Sequence, residues 1–189
     1  MTTATGDTRD RIMKAASLTV QDRGYNGLSF RDLAKDVGIK SASIYHYFPT
    51  KGELGSALAA RYTFDFLEYL DGLLAEGLDQ KVCIQKYTEV FGRTVQNDNR
   101  MCLGGMMAAE FTELPLEVRI EVVKFGKANV DWLVKVLSLG QPGGGDAVKG
   151  QALAIYAAVQ GAQLIARSRG DATIYDAIIE TYRDSALLP

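Results

Sequence analysis

SFRDLAKDVGIKSASIYHYFPTKGE, residues 29–53, decides the fold of this chain of 189 residues. Ser29 opens a capping pattern: its hydroxyl can accept from the first helical turn while Asp32, three residues on, reaches back. Phe30, Leu33, Ala34 and Val37 recur at i, i+3, i+4 and i+7, which predicts one apolar face of a short helix. Gly38 stands where a helix end needs a left-handed residue, and Ile39 can pack beneath that turn. A second helix starts near Ser41 and is anchored by Ile44 and Phe48, one turn apart. Two helices about a glycine turn make a helix-turn-helix. Its second helix carries small polar residues first and aromatics later, as a helix that sets its N-terminal side chains against base edges requires.

Working outward, a helix is expected from about Thr8 to Arg23, burying Ile12, Ala15, Ala16 and Thr19 or Val20 and stopping at Gly24. Residues 1–6 form a polar lead with no packing signal, expected to be disordered. Pro49 breaks the chain, and Thr50 with Glu53 forms a second capping pattern that opens a long helix to about Glu76. Its apolar positions are Leu54, Leu58, Tyr62, Phe66 and Tyr69 or Leu70. Further helices are expected at about 81–96, 105–112, 115–139, 146–169 and 173–187, and the glycine-rich stretch 140–145 reads as a flexible loop. No strand pattern and no repeat is found. The expected fold is all-α, with a three-helix DNA-binding head over residues 1–49 and a helical ligand-binding and dimerisation body over 50–189.

Composition narrows the function. The chain has no apolar run of the ~18 or more residues that a membrane helix needs and no apolar leader, so a cytoplasmic protein is expected. Two cysteines, Cys83 and Cys102, are too few for a disulfide framework and lack metal-ligand spacing, and the single histidine falls inside the motif. Neither a metal nor another cofactor is therefore expected. The net charge of −2 argues against nucleic acid only until the chain is divided. Residues 1–61 hold nine basic against six acidic side chains, and residues 62–189 hold twelve against seventeen. Phosphate binding needs a local basic surface, not a basic protein.

Gly38-Ile39, then Ile44-Tyr45-His46-Tyr47-Phe48-Pro49-Thr50-Lys51-Gly52-Glu53-Leu54, resembles the signature of TetR-family transcription regulators. So do Ile12, Ala15-Ala16, Gly24-Tyr25 and the run from Leu28 to Ala34 that precede it. The resemblance covers the first third of the chain closely and the rest in outline. It implies that Arg31, Lys40, Ser41, Ala42 and Ser43 face bases, where arginine can pair with guanine and an alanine methyl can meet a thymine methyl. It implies too that Tyr45, His46, Tyr47 and Lys51 touch phosphate or the groove wall, while Thr50 offers a hydroxyl or an amide at a helix N-terminus. Double-stranded DNA with a (pseudo)palindromic operator would be the partner, since two heads are needed to span successive major grooves.

A regulator of this kind needs a second state, which a small-molecule effector supplies by binding the two states unequally. The aromatic and methionine side chains Tyr62, Phe66, Tyr87, Phe91, Met106, Met107, Phe111 and Trp132 are the candidate pocket lining, although such stripes also build plain cores. The segment Cys102-Leu103-Gly104-Gly105-Met106-Met107-Ala108-Ala109-Glu110 resembles one found in family members that sense metabolites or electrophiles. Cys102 is either a thiol switch, aided by Arg100, or a cysteine packed as a small apolar residue. Glu110 would orient a polar ligand group or pair with Arg100 or Arg119. The resemblance also implies a homodimer, through helices carrying Ala152, Ile155, Tyr156, Val159, Gln160, Ala162, Gln163 and Ala166, then Ile174, Ile178 and Leu187. Two other classes compete: an all-α enzyme, which lacks any Ser/His/Asp or metal constellation, and a helical adaptor without DNA binding, against which Tyr45 and Lys51 stand.

Overall fold

In the computed structural model, residues 4–139 and 145–189 are described. They form α1 (Ala4–Arg23), α2 (Phe30–Val37), α3 (Ser41–Tyr47), α4 (Lys51–Ala75), α5 (Gln80–Gln96), α6 (Leu103–Ala109), a single 3-10 turn (Phe111–Glu113), α7 (Leu116–Leu137), α8 (Asp146–Arg169) and α9 (Thr173–Asp184). No strand occurs among the described residues, so the fold is all-α. The sequence-based boundaries need three corrections. The first helix begins at Ala4, not Thr8, because small and polar residues lack an apolar period but do not oppose a helix. The segment expected as one helix near 105–112 is α6 followed by the 3-10 turn, broken where the Glu110 amide donates to Met107 O, three residues back. The last helix ends at Asp184, where Ser185 caps it. The stretch expected as a flexible loop lies, apart from Gly145, outside the described residues, as do residues 1–3.

The chain divides into two compact units, and neither is a continuous piece of sequence. One comprises the residues up to Thr63 together with Leu103–Phe125; the other comprises Phe64–Cys102 and the residues from Gly126 onward. This boundary falls within α4 and α7, whereas the functional boundary read from the sequence lies at Pro49.

The first unit has an apolar core of Ile12, Val20, Leu33, Ile44, Phe48, Leu54, Leu58, Met107 and Val118. Each such side chain, fully buried, contributes about 1.5–3 kcal/mol. Two glycines set its close contacts. A Cβ at Gly55 would lie 2.5 Å from the Tyr25 ring, and one at Gly104 would lie 2.2 Å from the Phe125 ring. That brings α6 against α7 and explains Gly104 at the start of α6.

The second unit is built on α5, with α8 and α9 packed against it and against each other. Its centre is aromatic: Phe66, Tyr87, Phe91 and Trp132 are all buried, with Tyr87 stacked on Trp132 at 5.7 Å. Several buried polar groups are tied off internally, while Trp132 Nε1 and Gln163 Oε1 have no hydrogen-bond partner. Tyr87 donates to Asn129 Oδ1 at 2.9 Å, Tyr175 donates to Thr88 O at 2.7 Å, and Gln163 Nε2 donates to Phe91 O and Thr94 Oγ1. Such bonds matter because a buried polar group left without one costs about 1–3 kcal/mol. On α4, Leu70 takes the buried position and Tyr69 stays outside, with the Arg93 guanidinium over its ring at 5.9 Å.

Candidate nucleic-acid interface

The helix-turn-helix closes as its local chemistry dictates. Ser29 sits in extended backbone and accepts from the Asp32 amide, while a side-chain hydrogen bond with Ser29, and then one with Lys35, lower the pKa of the Asp32 carboxyl. Gly38 adopts φ 73°, ψ 38°, and the Ile39 amide donates to Ala34 O at 2.9 Å, ending α2 with a left-handed cap. Arg11 donates from α1 to the Val37 carbonyl at the same end. Ile44 and Phe48 are buried at 0% and 3% exposure, so α3 is held from beneath.

What α3 leaves outside is the candidate DNA surface. Lys40 is its N-cap and is exposed, Ala42 is exposed, and Ser41 and Ser43 are half-buried at its first turn. Arg31 is exposed on α2. Tyr45 is 55% exposed, and its ring meets Phe30 edge-on at 4.9 Å, so an outward-facing phenol rests on a fixed base. His46 is exposed and in edge contact with Tyr47, which is half-buried against the core of this unit. Thr50 Oγ1 accepts from the Glu53 amide at 3.0 Å, capping α4 and leaving its proton available to an acceptor.

Lys51 is less open than the motif implies. Its ammonium stands 4.6 Å from the centre of the Tyr25 ring and donates to Asn26 O at 3.4 Å. Burial pulls its pKa below the usual lysine value, and the charge of Glu110 opposes that shift. Beneath it the Tyr25 phenol is buried with no hydrogen-bond partner, and burial, with the charge of Glu117, pushes its pKa up to about 12.

Glu110 is not where the sequence suggested. Instead of pairing with Arg100 or Arg119, its carboxylate accepts from the Tyr25 amide at 2.5 Å and the Asn26 amide at 3.3 Å. Gly24, at φ 79°, makes room for it, because a Cβ there would lie 2.6 Å from Glu110 Oε1. Glu113 takes the Asn26 side-chain amide. Arg119 donates instead to Leu114 O and Thr112 O, and Arg100 is engaged by Asn97 and Asp98. Local sequence patterns carry no signal for the Glu110 contact, which joins positions far apart in the chain.

The candidate effector residues separate into groups. Phe66, Tyr87, Phe91 and Trp132 form the aromatic centre of the second unit. Tyr62 meets Phe125 in the first unit, at 5.4 Å. Met107 lies in that unit's core, Met106 is half-buried, and Phe111 is 37% exposed with the Arg119 guanidinium over its ring. Cys102 is a thiol with 0% exposure, its Sγ 3.4 Å from Gln160 Oε1 and 3.3 Å from Gln160 Nε2. Cys83 is equally buried, and burial with the charge of Asp79 raises its thiol pKa.

Of the residues expected to meet a second copy, Tyr156, Gln160, Ile174, Ile178 and Leu187 are half-buried, and the other six need a correction. Ala152, Ile155, Val159, Ala162, Gln163 and Ala166 face inward and are buried. The opposite face of α8 is exposed and apolar: Leu153 is 50% exposed, Leu164 57% and Ile165 47%. Leu153, Ala157, Gly161 and Leu164 recur at i, i+4, i+8 and i+11, a helical stripe that was legible as such.

Comparison with known proteins agrees with this geometry. Residues 12–58 match the family described as bacterial regulatory proteins, tetR family. A TetR transcriptional regulator from Legionella pneumophila is 32% identical, with 94% of this chain and 96% of that one covered and a TM-score of 0.87. The HTH-type transcriptional repressor NemR of Escherichia coli is 25% identical over 138 residues, covering 71% of this chain and 69% of that protein. The HTH-type transcriptional regulator YxaF of Bacillus subtilis is 34% identical over 68 residues, and that match spans only 36% of its length.

Proposed function

This chain belongs to the TetR family of bacterial regulatory proteins, and from that premise we propose that it is a homodimeric, sequence-specific repressor, released from a (pseudo)palindromic operator by a small-molecule effector. The observation that carries the reading is the asymmetry of α3. Ile44 and Phe48 fix it to the core, while its small polar first turn, Tyr45 and His46 are left facing outward. A helix held on one side and chemically varied on the other suits the major groove. Residues 1–49 act as the reading head and 50–189 as the sensing and pairing body. Arg31, Lys40, Ser41, Ala42 and Ser43 are assigned to base edges, and Tyr45, His46, Tyr47, Thr50 and Lys51 to the backbone of double-stranded DNA.

The exposed stripe of α8 supports pairing, since large apolar side chains in a row are costly to leave in water and a twofold contact would bury them twice. The aromatic centre around Trp132 supports an apolar effector, and α4, unbroken from Lys51 to Ala75, can carry a displacement along its length. Repression is favoured over activation by the likeness to NemR, a repressor by name. A thiol switch is the weaker alternative because Cys102 is closed to solvent; Cys102→Ser is expected to keep the effector response.

The test is binding to the DNA upstream of the chain's own coding sequence over a salt series. Specific binding that Tyr45→Ala weakens by about tenfold, a typical cost for one backbone-contacting aromatic group of ~1.4 kcal/mol, with the sedimentation of the dimer unchanged, is the expected result. Unchanged affinity in the variant would remove Tyr45 and the assigned surface from the reading.

A further inference from the structure

Lys51 and Glu110 both engage the same turn. The Tyr25 and Asn26 amides point to the Glu110 carboxylate, while the Asn26 carbonyl and the Tyr25 ring hold the Lys51 ammonium. The turn is built for this: Gly24 has no side chain to obstruct Glu110, Gly55 lets α4 close on the Tyr25 ring, and Glu113 fastens Asn26 from the same segment as Glu110. Burial lowers the Lys51 pKa, and the charge of Glu110, bound to the amides of the same turn, opposes that shift. Lys51 is therefore kept by a long hydrogen bond to a neutral carbonyl and by a ring face, with the Glu110 charge acting on it across the shared turn. The first two are weaker than a charge-assisted bond to phosphate.

We propose that Glu110 is a positioning residue that competes with operator phosphate for Lys51, holding the ammonium on the Tyr25–Asn26 turn in the DNA-free protein and giving it up when DNA binds. The proposal rests on the DNA-binding reading above. It makes the segment from Leu103 to Glu113 part of the DNA head in the energetic sense. Any movement that withdraws Glu110 lowers the cost of transferring Lys51 to phosphate, and any movement that presses it home raises that cost. By reciprocity, DNA that captures Lys51 loosens the hold of the turn on this segment.

The experiment is a double-substitution cycle on the full chain. A duplex retained by the wild type from a random pool is the probe, and its affinity is measured across a potassium chloride series for the wild type, E110Q, K51M and the double variant. Glutamine removes the charge and keeps one carbonyl oxygen, enough to accept the shorter bond from the Tyr25 amide but not the one from Asn26. E110Q is expected to bind about fivefold tighter when Lys51 is present, the scale of one partly exposed charge pair, and to bring no gain once Lys51 is methionine. K51M is expected to flatten the salt dependence by about one phosphate contact. An equal loss from E110Q in both backgrounds, or no effect in either, would make Glu110 a scaffold residue and overturn the proposal while leaving DNA binding intact. No duplex retained by the wild type would overturn both. Should E110Q melt too early to assay, the Lys51 ammonium resonance of the wild type decides: it must shift on adding the duplex, and a signal that stays put rejects the exchange.

Discussion

The two compact units reach order by different routes. In the first, short helices are punctuated by residues with one available role each: Ser29 as a cap, Gly38 as a left-handed stop, Gly24 and Gly104 as places where no side chain fits. In the second, Asp79 and Gly170 cap the ends of longer helices and Gly92 admits the Tyr175 ring, but most of the order comes from faces. α8 is buried along Ala152, Ile155, Val159 and Ala162 and exposed along Leu153, Ala157 and Leu164. A function that depends on a few side chains at fixed places can be carried by the first kind of unit, and one that depends on the match between surfaces by the second.

The contrast can be broken most forcefully at the exposed stripe. Leu164→Asp, which changes no buried contact, is expected to leave each chain folded but to yield monomers in sedimentation. Losing the second head should weaken operator binding by about 100-fold, since half-site contacts alone give little more than non-specific affinity. A dimer that persists would move pairing to another surface.

A smaller effect would sharpen the division within the first unit. Gly104→Ala places a methyl 2.2 Å from the Phe125 ring and is expected to cost about 2 kcal/mol through overpacking. Although Gly104 is remote from the motif in sequence, amide exchange should speed up in α1 and α4 near Leu54, while fluorescence of Trp132, the one tryptophan of the chain and a resident of the second unit, should stay unchanged. Faster exchange confined to the second unit would refute the division. Smaller again is Gly38→Ala, where a Cβ meets nothing within 4 Å and only the left-handed backbone resists, at about 1 kcal/mol in a thermal melt. A loss well above that would mean that Gly38 also packs against something.

These two glycines show what was legible and what was not. Gly38 could be read directly, because a left-handed cap is a local event between Val37 and Ile39. Gly104 could be read only as a place of close approach, with Phe125 unknown, because the partner lies on another helix. Ile44 and Phe48 were legible as core for the same local reason as Gly38. The inward and outward faces of α8 were both present as helical stripes, but apolar residues occur on each, so period alone could not say which one is buried. Glu110 was read as a ligand or ion-pair residue because a carboxylate in an apolar run invites a charged partner. Its partners are backbone amides, and backbone donors leave no mark in a sequence.

The most direct measurement is selection of duplexes by the full chain from a random pool, followed by footprinting of those retained. The expected result is an inverted pair of half-sites centred about one helical turn apart, or a small multiple of that, with protection on one face of the DNA. Retention of no sequence over another, or of a single half-site by a monomer, would contradict the central claim that a pair of these heads reads DNA.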